Sequence, residues 1–489
     1  MNVGELVIGL DIGTTSVKAI AFTRNGNVQY EAEQLIETFY PKETYVEQDP
    51  KEIEKKSRDV LKEVFDQAEK DHVLAVGISC AMHSIMCVDR EGTPLSNMLI
   101  WSDGRSSGLV EQLPADIKDS IYRKTGTPIH PMAPIWKLKW MNEQQYVPFH
   151  EAHYYLSMKD YLLFHWTGEL VTDYSMASAS GLMNLDQLQW DIDALQIAGV
   201  KKNQLPRIVP PTYVMKKIDK ELKKDVQWPD ETKLVIGAAD GQLANLGNGA
   251  MEAGEVAVTV GTSGAIRQMV EGRRVNKNGE TFTYAFTDLH SIIGGPTNNG
   301  GIALQWLKDV MEFKGTHDEF LAGAENVSIG SNGLLFIPYI NGERAPIWNQ
   351  QARGNFFGLS VTHQREHLVR AVLEGIAFNL YKIGRSLEEI AGKPKTISVN
   401  GGLSKSRLWV QIMADVFGKE IQLAETHHAA AWGAAWTALV AIQVEDDFTS
   451  IKQHIPIQGI IQPNMEYHQE YRRLFRKYNQ LEKDITSYF

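Results

Sequence analysis

Twice in this chain, about 250 residues apart, an apolar run breaks at a turn rich in glycine and hydroxyls and then resumes as a second β-rich run. The first instance is residues 6–10, then Asp11-Ile12-Gly13-Thr14-Thr15-Ser16, then residues 17–22. The second is residues 255–260, then Gly261-Thr262-Ser263-Gly264, then residues 265–270. Short β-branched runs bounded by glycine and hydroxyl residues read as strands joined by a tight turn. A chain that uses this device once in each half reads as two α/β domains of related architecture. The halves share the pattern, not the residues.

The length of 489 residues exceeds one ordinary domain. We place the division at 1–245 and 246–489, in the small-residue stretch 241–254. In the first half, Asn25-Gly26 signals a hairpin. Asp49-Pro50-Lys51-Glu52 opens a helix, with Asp as cap and Pro at the first helical position. Ile53, Val60, Leu61, Val64, Phe65 and Ala68 then share one helical face. Residues 73–79 read as a buried strand, with residues 85–89 pairing beside it. In the second half, strands are expected at 233–239, 334–340 and 396–399, and helices at 365–391 and 406–417.

The net charge of −11 argues against a nucleic-acid partner, which needs a basic face. Only two cysteines occur, Cys80 and Cys87, too few for a disulfide framework or a zinc ligand set. They read as buried thiols of a reducing compartment. The first residues lack the basic n-region of a signal peptide. The longest weakly polar run, 429–442, falls short of the ~20 residues that span a bilayer. No membrane partner and a cytoplasmic location are expected.

The chain has no G-x-x-x-x-G-K-[ST] loop and no G-x-G-x-x-G opening a helix after a strand. A bound nucleotide must therefore be held differently. In the Asp11–Ser16 turn, backbone N–H groups and two hydroxyls can point at phosphate oxygens, and Asp11 can hold Mg²⁺ through water. A hydroxyl-rich hairpin with no ligand reads the same way. Gly261-Thr262-Ser263-Gly264 is the matching device in the other half, and the pair suits phosphates clamped from two sides. Asp240 ends the strand 233–239 before Gly241, where a carboxylate can face a cleft and accept a proton. It could equally be an Asx turn or helix cap. Asn400-Gly401-Gly402 and Asn298-Asn299-Gly300-Gly301 allow close approach of a flat ligand. Ala81-Met82-His83-Ser84 and Trp101-Ser102-Asp103-Gly104-Arg105 supply polyol-type contacts. His427-His428 reads as a solvated loop rather than a metal site.

These residues, in this order, resemble the FGGY family of carbohydrate kinases. The resemblance runs through nearly the whole chain and includes Met132-Ala133-Pro134-Ile135-Trp136-Lys137-Leu138-Lys139-Trp140, Lys159-Asp160-Tyr161-Leu162, Gln305-Trp306-Leu307 and Gly401-Gly402-Leu403-Ser404-Lys405-Ser406. It implies two ribonuclease-H-like (actin-like ATPase) domains with a catalytic cleft between them, the first binding substrate and the second nucleotide. It makes Asp240 the general base and places Asp11 and Asp240 near Mg²⁺. Thr14, Thr15, Lys18, Gly261 and Thr262 would meet the phosphates of ATP. Gly301, Gln305, Gly401, Gly402 and Ser406 would line the nucleotide site. Met82, His83, Trp101, Arg105 and Asp240 would face a sugar acid or polyol.

Within the family, Ala81–Ile85 and Gly342-Glu343-Arg344-Ala345-Pro346-Ile347-Trp348 are most similar to the branch that phosphorylates gluconate. Xylulose-phosphorylating members usually read G-Q-M-H-G where this chain has Cys80 to Ser84, although Met82-His83 is shared. A gluconate carboxylate wants a cation or several N–H donors nearby, and Arg105 and Lys159 are candidates. The resemblance also implies a homodimer. The rival readings are a kinase for xylulose or a related polyol, an actin-like ATPase whose output is motion, and a non-catalytic sugar sensor.

Overall fold

The structure, a computed structural model, describes all residues except 1–3, 70 and 425–427. Strand Glu5–Ile12 is the middle of a five-stranded sheet ordered Lys233–Ala239, His72–Cys80, Glu5–Ile12, Ser16–Thr23, Val28–Leu35. It runs antiparallel to Ser16–Thr23 across the first glycine turn and parallel to His72–Cys80. In the second half, Glu255–Val260 runs antiparallel to Gly264–Glu271 across the second turn and parallel to Thr396–Asn400. That sheet has seven strands, ordered Phe282–Ala285, His290–Thr297, Gly264–Glu271, Glu255–Val260, Thr396–Asn400, Ile421–Ala424, Ile457–Ile461. Each sheet thus sets its first strand between an antiparallel hairpin partner and a parallel strand from later in the chain. This is the ribonuclease-H-like arrangement expected twice.

Helix Pro50–Gln67 starts as its sequence dictates, with the Asp49 carboxylate accepting from the Lys51 N–H at 2.8 Å. Its apolar stripe Ile53, Val60, Leu61, Val64 and Phe65 is buried against the first sheet. In the second half the long helix Arg365–Ala391 buries its apolar stripe in the other large core. One expectation is corrected. Strand Met86–Val88 pairs with Tyr154–Leu156, not with the strand before it. The reason is that His72–Cys80 already has a neighbour on each edge, Glu5–Ile12 and Lys233–Ala239, so no backbone groups remain to pair.

The small-residue run near the chain's end forms helix Ala429–Ala441, which crosses back to lie on the first sheet. Two glycines make that possible. A Cβ on Gly9 would stand 2.0 Å from the Ala431 carbonyl oxygen, and one on Gly77 would stand 2.0 Å from that of Ala434. Beside it runs helix Asp240–Gly247, which begins at the end of strand Lys233–Ala239. These two helices join the halves below the cleft. Among the described residues no helix is long and apolar enough to cross a membrane. Both cysteines are buried and free, and burial pushes both thiols up, Cys87 to about 12.

Candidate active site

A cleft of about 380 Å³ opens where the two glycine turns face one another. Thr14 of the first turn and Gly261 to Gly264 of the second line it, together with Met82, His83, Trp101 and Asp240. Segments separated by more than 200 residues in sequence therefore meet at one place. They do so because both turns sit at the ends of the strands at the centre of their sheets.

Asp240 occupies the first turn of helix Asp240–Gly247 and accepts from the Gly241 N–H at 2.7 Å. A helix N-terminus favours the ionised form. Burial raises its pKa all the same, opposed most strongly by the charge of Arg267. Arg267 lies against the Gly241 backbone, where a Cβ would stand 3.2 Å from its Nε. Asp11 receives a hydrogen bond from Ser79 Oγ at 2.7 Å. Burial pushes its carboxyl up to about 6, with the Ser79 hydroxyl opposing and the charge of Asp240 adding. Among the described residues no group of three or more His, Cys, Asp or Glu gathers as a metal cage. Two neighbouring carboxylates suit Mg²⁺, which keeps several of its waters.

His83 has a positive φ of 67° and a nearly buried ring. Its Nδ1 lies 2.9 Å from the Ala179 carbonyl oxygen, which can only accept, so Nδ1 carries the proton and Nε2 is left as an acceptor. Burial pushes its pKa down to about 3, so the ring is neutral. Lys137, fully buried, ties the segments of His83 and Trp101 together by donating to the carbonyls of His83 (2.9 Å) and Ile100 (2.6 Å).

The glycines expected at the nucleotide site also converge. The Gly301 N–H donates to the Gly261 carbonyl at 2.7 Å and the Gly300 N–H to that of Thr262 at 3.2 Å. Gly401, at φ 93°, packs on the end of the same strand, where a Cβ would stand 2.5 Å from the Val260 carbonyl oxygen. Gly402 has open space beside it.

Other expected site residues lie elsewhere. Arg105 is not in the cleft. Its Nε bonds Asp103 at 2.8 Å, its Nη2 bonds Glu47 at 2.6 Å, and it stacks over Tyr45 at 4.1 Å. Lys159 is fully buried in an ion pair with Asp173. Lys18, opposite Asp11 in the hairpin, pairs with Glu33 at 3.1 Å, and Thr15 is exposed outside the cleft lining. Gln305 bonds Asp309 at 2.7 Å. Ser406 caps helix Arg407–Phe417 through the Trp409 N–H at 3.3 Å. His427 lies outside the described residues, and His428 pairs with Glu31 at 3.2 Å.

Two charged lining residues, Arg267 and Arg344, are absent from the expected set. Burial lowers both pKa values, that of Arg344 to about 10. Arg267 was visible as a charge inside the apolar strand Gly264–Glu271, directly after the second turn.

A cleft between two ribonuclease-H-like domains, with glycine turns on both walls and a carboxylate at its floor, defines an enzyme of the two-domain kinase type. The chain belongs to the FGGY family of carbohydrate kinases: the family's N-terminal domain matches residues 6–247 and its C-terminal domain residues 256–442. It is 38% identical over 482 residues to a gluconokinase of Bacillus subtilis (strain 168), covering 96% of this chain and 94% of that protein. Two structures from Lactobacillus acidophilus, a gluconate kinase and a ligand-bound xylulose kinase, each superpose with a TM-score of 0.95 at 34% identity, over 99% of this chain and 98% of theirs.

Proposed function

We propose that this carbohydrate kinase transfers the γ-phosphoryl group of ATP to the 6-hydroxyl of D-gluconate, giving 6-phospho-D-gluconate and ADP. The observation that carries the reading is the charge of the cleft. Arg267 and Arg344 both line it, and neither forms an ion pair with a described carboxylate within 4.0 Å. Asp240 is the one carboxylate among the described lining residues. Both residues are half-buried, and desolvation outweighs the opposing charges of Asp240 and Glu343, so a substrate bearing a carboxylate is favoured there.

The first 245 residues supply most polyol contacts in this reading, and the remainder the nucleotide side. His83 Nε2 accepts from one substrate hydroxyl, and Met82 and Trp101 cover the apolar edge of the carbon chain. Asp240 takes the proton of the 6-hydroxyl as its oxygen bonds to phosphorus and the bond to ADP breaks. Thr14 and the Gly261–Gly264 turn offer N–H and hydroxyl donors to the transferring group. Asp11 and Asp240 would hold hydrated Mg²⁺, which would offset charge on the phosphates. Gly301, Gly401 and Gly402 leave room for the nucleotide beside the second turn, with Gln305 and Ser406 at its margin. Lys18 acts at a distance, lowering the proton affinity of Asp11.

The test is product identity. The enzyme is incubated with ATP, Mg²⁺ and D-gluconate, and the product is read by ³¹P and ¹³C NMR. A phosphate monoester at C6 supports the reading, and no phosphorylated acid contradicts it. A xylulose kinase is the second reading, because the likeness to the Lactobacillus acidophilus xylulose kinase equals that to the gluconate kinase.

A further inference from the structure

Arg344 follows Glu343 in the chain, and the Glu343 charge raises its proton affinity, but the two side chains form no ion pair within 4.0 Å. Both oxygens of that carboxylate are already taken. Oε1 accepts from the backbone N–H groups of Asn298 (2.9 Å) and Arg344 (2.7 Å). Oε2 accepts from Thr297 Oγ1 (2.6 Å), Asn299 Nδ2 (3.1 Å) and Asn379 Nδ2 (2.9 Å). Among the described residues the guanidinium of Arg344 donates once, from Nη2 to the Thr297 carbonyl at 3.2 Å, and its buried Nε has no partner. It lies over the Trp101 ring at 4.7 Å, which fixes its plane.

Arg267 is differently placed. Its main electrostatic partner is Asp240. It also repels Arg344, helping to lower that residue's proton affinity. An anion beside Arg344 relieves both this repulsion and the cost of burial.

A second cavity of about 430 Å³ adjoins the cleft, and Trp101 and Arg344 line both. Its walls carry Arg353 and His130, and none of its described lining residues is a carboxylate. His130 is 4% exposed, and its Nε2 has no partner among the described residues. Unsatisfied donors and positive charge therefore gather on the Arg344 side, away from the base.

We propose that Arg344, braced by Trp101, forms the subsite for the carboxylate of a sugar acid, at the wall between cleft and side cavity. It sets the preference for an acid over the neutral polyol, while Arg267 serves Asp240. The proposal rests on the reading of the substrate as a sugar acid. The planar fork of a guanidinium matches a carboxylate in two parallel bonds, and a stacked fork is ordered before the ligand arrives.

The test compares full-length wild type, Arg344→Gln and Arg344→Lys. D-Gluconate turnover is measured with ATP, and D-gluconate binding by calorimetry without nucleotide. D-Glucitol, which has the same carbon chain and no charge, is measured as a competitor. For Arg344→Gln the KM and Kd for D-gluconate are expected to rise about 10- to 100-fold, with kcat falling far less. Arg344→Lys recovers part of the loss, and D-glucitol inhibition shifts no more than about twofold. Unchanged gluconate KM overturns the proposal, as does an equal loss for gluconate and glucitol, which marks a merely structural role. If Arg344→Gln does not fold, Trp101→Leu, which keeps the charge and removes the brace, is expected to raise gluconate KM more than it weakens glucitol. Equal effects there overturn the proposal too. Wild-type protein that binds D-gluconate through Arg344 without phosphorylating it sinks the proposed reaction and leaves the subsite standing.

Discussion

Gly9 and Ala431 touch backbone to backbone: a Cβ on Gly9 would stand 2.0 Å from the Ala431 carbonyl oxygen. Here helix Ala429–Ala441, from the second half of the chain, locks onto the central strand of the first sheet. Gly9→Ala must push helix Ala429–Ala441 off that sheet, at a cost of about 3 kcal/mol. The same change at Gly108, where a Cβ meets nothing within 4 Å, is expected to be neutral or slightly stabilising. Urea unfolding of both variants checks this, and equal midpoints would contradict the packing account.

Asp240→Asn keeps the shape of the residue and removes its ability to accept a proton. Turnover is expected to fall about 10²- to 10⁴-fold, while ATP still binds. Steady-state rates with a separate ATP titration make the check. Near-normal turnover in a folded variant removes Asp240 from the role of base.

His83 sits at a pKa of about 3, so it is neutral across the working range. The pH profile of kcat/KM between 5 and 8 should therefore show no step from this imidazole. His83→Asn is expected to raise substrate KM without altering the shape of that profile. A step near pH 6.5 that disappears in the variant would refute the neutral assignment.

Lys137 is buried, and burial pushes its pKa down to about 7 from 10.5. Between those values the unfolded chain holds a proton that the folded protein has released. Stability from this group therefore rises as pH rises from about 7 toward 10.5, and stays flat below. Lys137→Met should remove that increment from the pH dependence of the thermal midpoint. It should also raise substrate KM, because the carbonyls of His83 and Ile100 lose their common donor. Parallel wild-type and variant curves from pH 7 to 9 would contradict the first expectation.

Much of the fold could be read from local pattern. The glycine turns, the strands around them and helix Pro50–Gln67 follow from short-range chemistry that each segment carries itself. The pairing of strand Met86–Val88 is not legible locally, because edge availability depends on a strand more than 140 residues later, Lys233–Ala239. The site divides the same way. Asp240, Met82, His83 and Trp101, each legible in a local motif, line the cleft. Arg105 does not, because Asp103 two residues before it and the distant Glu47 consume its donors. Arg344 stood in a segment already noted for its resemblance to gluconate-specific members. That Glu343 makes no ion pair with it follows from Thr297, Asn299 and Asn379, which occupy the carboxylate and which no local reading connects.

The function proposed has the cleft select an anionic sugar and phosphorylate it. A coupled assay of ADP release with D-gluconate, D-xylulose, glycerol and no acceptor tests this most directly. We expect kcat/KM for D-gluconate to exceed the others by at least about tenfold, a difference of ~1.4 kcal/mol, with little ADP formed without acceptor. Preference for D-xylulose or glycerol, or ADP release indifferent to any sugar, would contradict it.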